Sequence, residues 1–258
     1  MISVVAAVHN RAEDVRTWLK SLVNQTGVEL EVILVNYSST DGLEKALELK
    51  ELTYKEVVVD PIPGVEGFPE ARLKNIGIKV ASGDIVVATN VDLIYSSIFF
   101  SQIESCCADG FLVQAMRINA PRGSSVTTEG DIIKANESDQ TSTVNDYCEW
   151  GIPIVTGGDC QAMRKRHWHD MHGYDEELYG WGALDTDMVC RGLQAGLNLL
   201  ILSATFVKYV HKWHPVDRDR NREDAKRNHE IIVEKVSKGA VVRNLEGWGE
   251  LPQREEVT

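Results

Sequence analysis

Apolar positions in this chain follow two alternating rhythms. Ile2–Val8 and residues 30–35 are short, continuous β-rich runs, as in strands buried on both faces of a parallel sheet. Between them, Val15, Trp18, Leu19, Leu22 and Val23 fall at helical spacing and predict a helix over residues 11–24. The pair of rhythms then repeats. Residues 38–42, Ser-Ser-Thr-Asp-Gly, are turn chemistry and predict a helix running to residue 49. Tyr54–Val59 reads as a third strand, and residues 61–69, rich in proline and glycine, as a loop. Residues 70–81 read as a helix stopped by Ser82-Gly83, and Ile85–Thr89 as a fourth strand. Such alternation predicts a mostly parallel sheet with helices on both faces.

The second half is less regular. Strands are expected at 111–118, 152–156, 199–203 and 205–210, and a polar, mobile loop at 119–146. Residues 188–196 read as a short helix, and 217–236 as a charge-rich helix. The tail from Arg243 has little periodicity and reads as a surface strap.

Composition narrows the function classes. A hydrophobic content of 43% with 26% charged residues fits a globular chain with a real core. The net charge of −12 argues against sequence-independent nucleic-acid binding, which needs a basic footprint. Five cysteines, an odd number without a C-x-x-C pair, suit free thiols in a reducing compartment. No apolar run approaches the ~20 residues of a membrane span. The expectation is a cytoplasmic enzyme, with peripheral membrane contact left open.

In open parallel sheets, ligands bind beyond the carboxyl ends of the strands. Three segments stand there: His9-Asn10-Arg11, Asn36-Tyr37-Ser38 and Asn90-Val91-Asp92. Asp92 with His211 or His214 would make an oxygen-and-imidazole site for Mn²⁺, which accepts imidazole as well as oxygen, with Mg²⁺ as the alternative ion. Arg11 and Arg72 could pair with phosphates. His167, His169 and His172 read instead as a surface helix, because an i,i+2 pair cannot share one helical face. Neither a G-x-x-x-x-G-K-[ST] loop nor a G-x-G-x-x-G fingerprint occurs. Residues 180–187, Gly-Trp-Gly-Ala-Leu-Asp-Thr-Asp, place two carboxylates just after a tryptophan flanked by glycines. Asp185 or Asp187 could there accept a proton from a sugar hydroxyl.

Taken in order, these motifs resemble the inverting nucleotide-sugar glycosyltransferases of the GT-A fold. The run Ser3 to Arg11, then Val35 to Gly42, Ala71-Arg72-x-x-Asn75-x-Gly77 and Ser82-Gly83-Asp84 resembles glycosyltransferase family two. Phe68 to Gly77, followed by Thr89-Asn90-Val91-Asp92-Leu93-Ile94, is similar to the β-1,4-galactosyltransferases. Gly157-Gly158, Gly173 to Glu176 and Gly180-Trp181-Gly182 match the later half of that family and of bacterial chondroitin-type polymerases. The resemblance implies a Rossmann-like GT-A catalytic domain over residues 1–216. Its nucleotide-binding half would be 1–95 and its smaller acceptor and metal half 96–216, with a helix and strap over 217–258.

It further implies a UDP-sugar donor, UDP-galactose or an N-acetylhexosamine form, and a glycan or other hydroxyl acceptor. Asp185 aligns with the acceptor-activating base, and Asp92 with the second metal-binding carboxylate of D-x-D. His211 aligns with a metal-binding histidine, and His214 stands in reserve. Ala7, His9, Arg11, Asn36, Arg72, Asn75, Thr89, Asn90 and Val91 fall on the donor side. Gly158, Trp181, Gly182 and Asp187 fall on the acceptor side. Three positions depart from the pattern: Asn90 replaces the first D-x-D carboxylate, Leu184 replaces a glutamate, and Tyr37 replaces a base-holding aspartate. Two other readings stand beside this one. A non-catalytic sugar-nucleotide or glycan-binding module would explain Asn90 and Leu184. A sugar-phosphate nucleotidyltransferase shares the sheet logic, but usually has a glycine-rich loop where this chain has Ala7 to Arg11.

Overall fold

The computed structural model describes residues 1–48, 52–65, 67–128, 130–131, 144–147, 153–155, 159–204, 206–215 and 218–251. The first half runs β1 (Ile2–Val8), α1 (Ala12–Val23), β2 (Leu30–Tyr37), α2 (Leu43–Ala46), β3 (Tyr54–Val59), α3 (Glu70–Val80) and β4 (Ile85–Thr89). Then come β5 (Leu93–Tyr95), α4 (Phe99–Cys106), β6 (Phe111–Ala115), β7 (Ile118–Asn119), β8 (Val144–Tyr147) and β9 (Pro153–Val155). The last stretch is β10 (Cys160–Arg164), α5 (Lys165–Asp170), α6 (Leu184–Gln194), β11 (Asn198–Leu202), β12 (Tyr209–His211) and α7 (Arg218–Ser237).

Seven strands form the main sheet in the order β11-β6-β10-β4-β1-β2-β3, with β10 antiparallel to both its neighbours. All the other pairings are parallel, as the continuous apolar runs predict. Side chains of β1 alternate between two cores. Ile2, Val4, Ala6 and Val8 join Trp18 and Leu22 of α1 and Phe99 and Phe100 of α4. Val5 and Ala7 join Leu73 and Ile76 of α3, Trp168 of α5, Met188 of α6 and Ile232 of α7. Helices therefore cover both faces, and the fold is a GT-A-like α/β arrangement. A smaller sheet, β5-β12-β7, stands beside it.

Several element bounds differ from the sequence expectation. Helix α2 ends at Ala46, and residue 49 lies outside the described residues. The strand expected over 111–118 splits, because the chain leaves the main sheet at Ala115 and rejoins the smaller one at Ile118. The strand expected over 205–210 shrinks to Tyr209–His211, since the N–H groups of Phe206 and Val207 turn back onto the Ser203 carbonyl. Within the expected loop 119–146, Val144–Tyr147 instead pairs antiparallel with Pro153–Val155; residues 132–143 lie outside the described residues. Helix α6 starts at Leu184 rather than residue 188, which takes both carboxylates into its first turn. The tail is anchored to the body: Arg243 is buried, and Trp248 packs against His169 and stacks on His172. Cys106, Cys107, Cys160 and Cys190 are free thiols. Among the described residues no helix is long and apolar enough to cross a membrane.

Helix α3 packs very closely on the sheet at Gly77. A Cβ there would come within 2.3 Å of Val5 Cγ1 and 3.2 Å of Val35 Cγ2. Overpacking of this kind costs about 1–3 kcal/mol, and helix propensity returns only about 1 kcal/mol. Gly77→Ala is therefore expected to lower the urea midpoint despite its better helix propensity. An unchanged or raised midpoint would show that β1 and β2 yield freely.

Candidate active site

Parallel register sets the site. Ile2 pairs with both Leu30 and Ile85, so β1, β2 and β4 release their chains at one sheet edge. A cavity of about 310 Å³ opens there, lined by Ala7, Val8, His9, Arg11, Phe68, Glu70, Asn90, Val91 and Asp92.

The loop after β1 is fastened to the loop after β2. Asn10 adopts a left-handed φ of 52°, and its Oδ1 accepts from Thr40 N at 2.8 Å. Asp41 caps α1 by accepting from Ala12 N at 2.7 Å. His9 Nδ1 lies 2.5 Å from the Tyr37 carbonyl, and the two rings meet edge to face. Tyr37, at the position of the family's base-holding aspartate, is buried, and its hydroxyl accepts from Ile62 N. It ties the proline-rich loop to the sheet.

Asp92, His211 and His214 converge, with ligand atoms all within 4.8 Å of one another. Antiparallel pairing of β12 with β5 sets His211 opposite Leu93, next to Asp92. Lys212 locks the segment down, donating to Asp14 at 2.6 Å and to Thr17 at 3.0 Å on α1. Asp92 Oδ2 lies 3.5 Å from His211 Nε2, 3.3 Å from His214 Nε2 and 3.6 Å from Arg11. Burial raises the pKa of Asp92, but the hydrogen bonds from both histidines and the charge of Arg11 outweigh it and hold the carboxyl well below the usual range. The bond to Asp92 raises the pKa of His214. Asp92 Oδ1 is buried without a hydrogen-bond partner. One unsatisfied carboxylate oxygen beside two imidazoles is a donor set that fits a divalent cation, Mn²⁺ better than Mg²⁺.

Asp185 is half-buried in the first turn of α6. Its carbonyl accepts from Gln161 Nε2 of β10 at 3.0 Å, which pins the turn to the sheet. Protein surrounds its carboxyl closely enough that burial dominates and raises its pKa to about 7. Lys74 opposes that shift, Glu70 and Asp159 add to it, and Arg117 opposes it. A carboxylate that half-ionises near neutrality is well matched to proton abstraction.

Lys74 was not singled out by the sequence reading. It is buried, and its ammonium donates to Glu70 at 2.6 Å and to Asn90 Oδ1 at 2.8 Å. Burial lowers its pKa, but Glu70 and Asp185 outweigh that and keep it raised. The available signal was its place four residues after Glu70, on a helix face otherwise apolar. Asn90 is thus engaged by a lysine, and Leu184 is buried in the α6 packing.

Several expected site residues lie elsewhere. Thr89 points into the core against Tyr95. Asn36 caps its own turn at Ser39 N and donates to Glu56. Asn75 is buried and brackets Tyr174 through both backbone N–H and carbonyl, as well as bonding Glu176. Asp187, expected beside an acceptor, is fully buried between Arg191 at 2.7 Å and Arg243 at 3.2 Å. Its role in the fold is to hold α6 to the tail. Arg72 lies outside the main cavity and lines a second one. Trp181 is 56% exposed, in a turn seated on α7: its backbone N–H donates to Asp224, and a Cβ at Gly180 would strike that same carboxylate. Gly182 lies against Ala225. Gly158 is outside the described residues.

Residues 3–170 match the model of glycosyl transferase family 2. The chain belongs to that family. Residues 142–215 also match a model described as the N-terminal domain of galactosyltransferase. A relative named as an uncharacterized glycosyltransferase, YibD of Escherichia coli strain K12, is 29% identical over 102 residues. That match covers 35% of this chain and 26% of the relative. Among solved structures, Staphylococcus aureus TarS 1-349 in complex with UDP is similar with a TM-score of 0.64 at 16% identity, covering 95% of this chain and 67% of that one. The mannosyltransferase PcManGT of Pyrobaculum calidifontis, solved with GDP-Man and Mn²⁺, is similar with a TM-score of 0.60 at 17% identity. It covers 93% of this chain and 64% of its own. These likenesses establish a GT-A glycosyltransferase fold.

The burial of Asp187 generates a stability expectation. Removing one partner of a buried ion pair costs about 3–5 kcal/mol. Asp187→Ala should therefore lower the denaturation midpoint sharply, and more than Asp185→Ala does. Equal, small effects in chemical denaturation would show that Arg191 and Arg243 find other partners.

Proposed function

We propose that the chain is a metal-dependent, inverting glycosyltransferase that moves a sugar from a nucleotide-sugar donor to an acceptor hydroxyl on a glycan. The observation that carries this reading is the cavity at the strand ends with Asp92, His211 and His214 gathered beside it. The donor we favour is a UDP-sugar, UDP-galactose or an N-acetylhexosamine form. The galactosyltransferase match over residues 142–215 supports it, as does the UDP-GlcNAc complex of TarS. The GDP-mannose complex of PcManGT makes guanine nucleotides the comparison that matters.

In this reading His9, Arg11 and the backbone from Asn90 to Asp92 line the nucleotide site. Asp92, His211 and His214 would hold the cation. A cation held by these residues would supply positive charge to offset the negative charge growing on the departing diphosphate. Arg11 adds fixed positive charge beside it. Asp185 takes the proton from the attacking hydroxyl, and a single displacement inverts the anomeric centre. Lys74 supports Asp185 electrostatically while holding Asn90. Asn90 supplies no charge, so cation binding should be weaker than at a two-carboxylate site.

Two measurements test the assignment. A positioned base contributes about 10²–10⁴-fold in rate. Asp185→Asn should cut turnover by about that factor and leave UDP affinity nearly unchanged. In the unaltered enzyme, Asp185 must be ionised to accept the proton. Turnover should therefore fall about tenfold per pH unit below a pKa near 7 and level off above it. That limb should vanish in the variant. Near-full turnover in Asp185→Asn, with chemistry limiting, would assign the base elsewhere.

Asp92→Ala should abolish Mn²⁺-dependent UDP binding by calorimetry, and His211→Ala should weaken it. Tighter metal-dependent binding of GDP than UDP would refute the donor choice. Retained anomeric configuration in the product, read by NMR, would refute inversion.

A further inference from the structure

A second cavity, also about 310 Å³, lies across the start of α3 and is lined by Gly64, Val65, Pro69, Arg72, Glu176 and Tyr179. It shares a wall with the first. Phe68 and Glu70 line the donor-side cavity, while Pro69 and Arg72, from the same segment, line this one. Tyr179 begins the turn that leads through Trp181 to Asp185.

The polar groups here are only partly engaged. Among the described residues Arg72 makes one hydrogen bond, from its NH2 group to the Glu250 carbonyl at 3.3 Å. Its Nε is buried without a hydrogen-bond partner and forms only a long ion pair, 3.8 Å, with Glu176 Oε2. The other carboxylate oxygen, Glu176 Oε1, is fixed by Asn75 at 2.9 Å and by Gly249 N at 2.7 Å. The carboxylate is thus held rigidly, with one oxygen turned toward the guanidinium. Tyr179 is 38% exposed, and Arg227 covers one face of its ring at 3.7 Å. Val65 and Pro69 add an apolar floor.

A hydroxyl both donates and accepts, so a guanidinium and a carboxylate side by side match the vicinal hydroxyls of a sugar. A phosphate or carboxylate would be drawn to Arg72 but repelled by Glu176. The apolar floor and the tyrosine suit the C–H face of a pyranose. We infer that this cavity is a subsite for a neutral hexopyranose unit of the acceptor glycan, gripped by Arg72, Glu176 and Tyr179. The inference rests on the glycosyltransferase reading and adds to it a place on the molecule for one acceptor unit and the neutral character of that unit. It also moves Arg72 from the donor side, where the sequence placed it, to the acceptor side.

Saturation-transfer NMR tests this. The protein, with UDP and Mn²⁺, is titrated with the methyl β-glycosides of glucose, galactose, N-acetylglucosamine, N-acetylgalactosamine and glucuronic acid. At least one neutral glycoside should bind, at least tenfold more tightly than the glucuronide. Arg72→Met and Tyr179→Ala should each weaken it at least tenfold, while Arg72→Met leaves UDP affinity within twofold. Arg72→Gln serves if either variant misfolds. Binding of no neutral glycoside, preference for the glucuronide, or unchanged binding in the Arg72 variants would overturn the subsite. Failure of the unaltered protein to bind UDP would strike the donor reading, and the glycoside titration would still judge this cavity.

Discussion

Ile2 of β1 is in step with Leu30 on one side and Ile85 on the other, and each following residue keeps that register. A one-residue slip would turn every side chain of β1 to the opposite core. Trp18 and Leu22 on one face and Ile76 and Met188 on the other would then meet the wrong partners. Burial on both faces thus fixes the register, and the register fixes where the three chains leave the sheet. His9, Tyr37 and Asn90 are neighbours because their strands have no other way to align. The cavity is a product of core packing before it is a product of chemistry.

A second constraint governs the later half of the chain. Asp187 and Asp175 share Arg243, Arg191 joins Asp187, and Lys235 of α7 joins Asp175. This buried network ties α6, the turn before it, α7 and the tail into one body. Its charges are paired and supplemented by backbone carbonyls, with Arg191 also donating to Met171 and Gly173. Asp185 takes its place from that body and from Gln161 on the sheet. Of the two carboxylates, two residues apart, Asp187 is locked inside the network while Asp185 stays half-buried outside it.

Sequence periodicity showed the first four strands closely, because β1 and β4 are buried on both faces and β2 nearly so, while the edge strand β3 showed through its β-branched run. Helices α1 and α3 were as plain because each buries one face, and only the short α2 ended earlier than its turn signal suggested. Periodicity was less informative after β4. The chain divides between two sheets from Leu93 onward; β5 and α4 had no sequence expectation, and Ala115 to Ile118 carries no local mark of the change. The motif reading named Asp92, His211, His214, Arg11 and Asp185 as candidates, and geometry brings the first four together. Asn75, Thr89 and Asp187 carry the same family pattern, yet their side chains face the core. Spacing along a strand or helix does not say which polar residues a buried network will claim. Lys74 was hidden for the converse reason, since a buried lysine looks like a surface one until Glu70 and Asn90 are seen around it. Arg243 was hidden as well, because its partners lie 56 and 68 positions away in the chain.

The raised pKa of Asp185 also weighs on the fold itself. In the unfolded chain this carboxyl ionises at its ordinary value of 3.8, whereas in the folded protein it resists until about 7. Between those values the unfolded chain gives up its proton first, so stability falls as pH rises through that window. The full difference, about 4 kcal/mol at the most, is then carried at every pH above 7. That is a large share of the 5–15 kcal/mol or so by which native domains are stable. Drift toward greater stability would favour a neutral side chain at position 185. The carboxylate at position 185 is thus a standing cost to the fold at neutral pH, which a neutral side chain there would not carry.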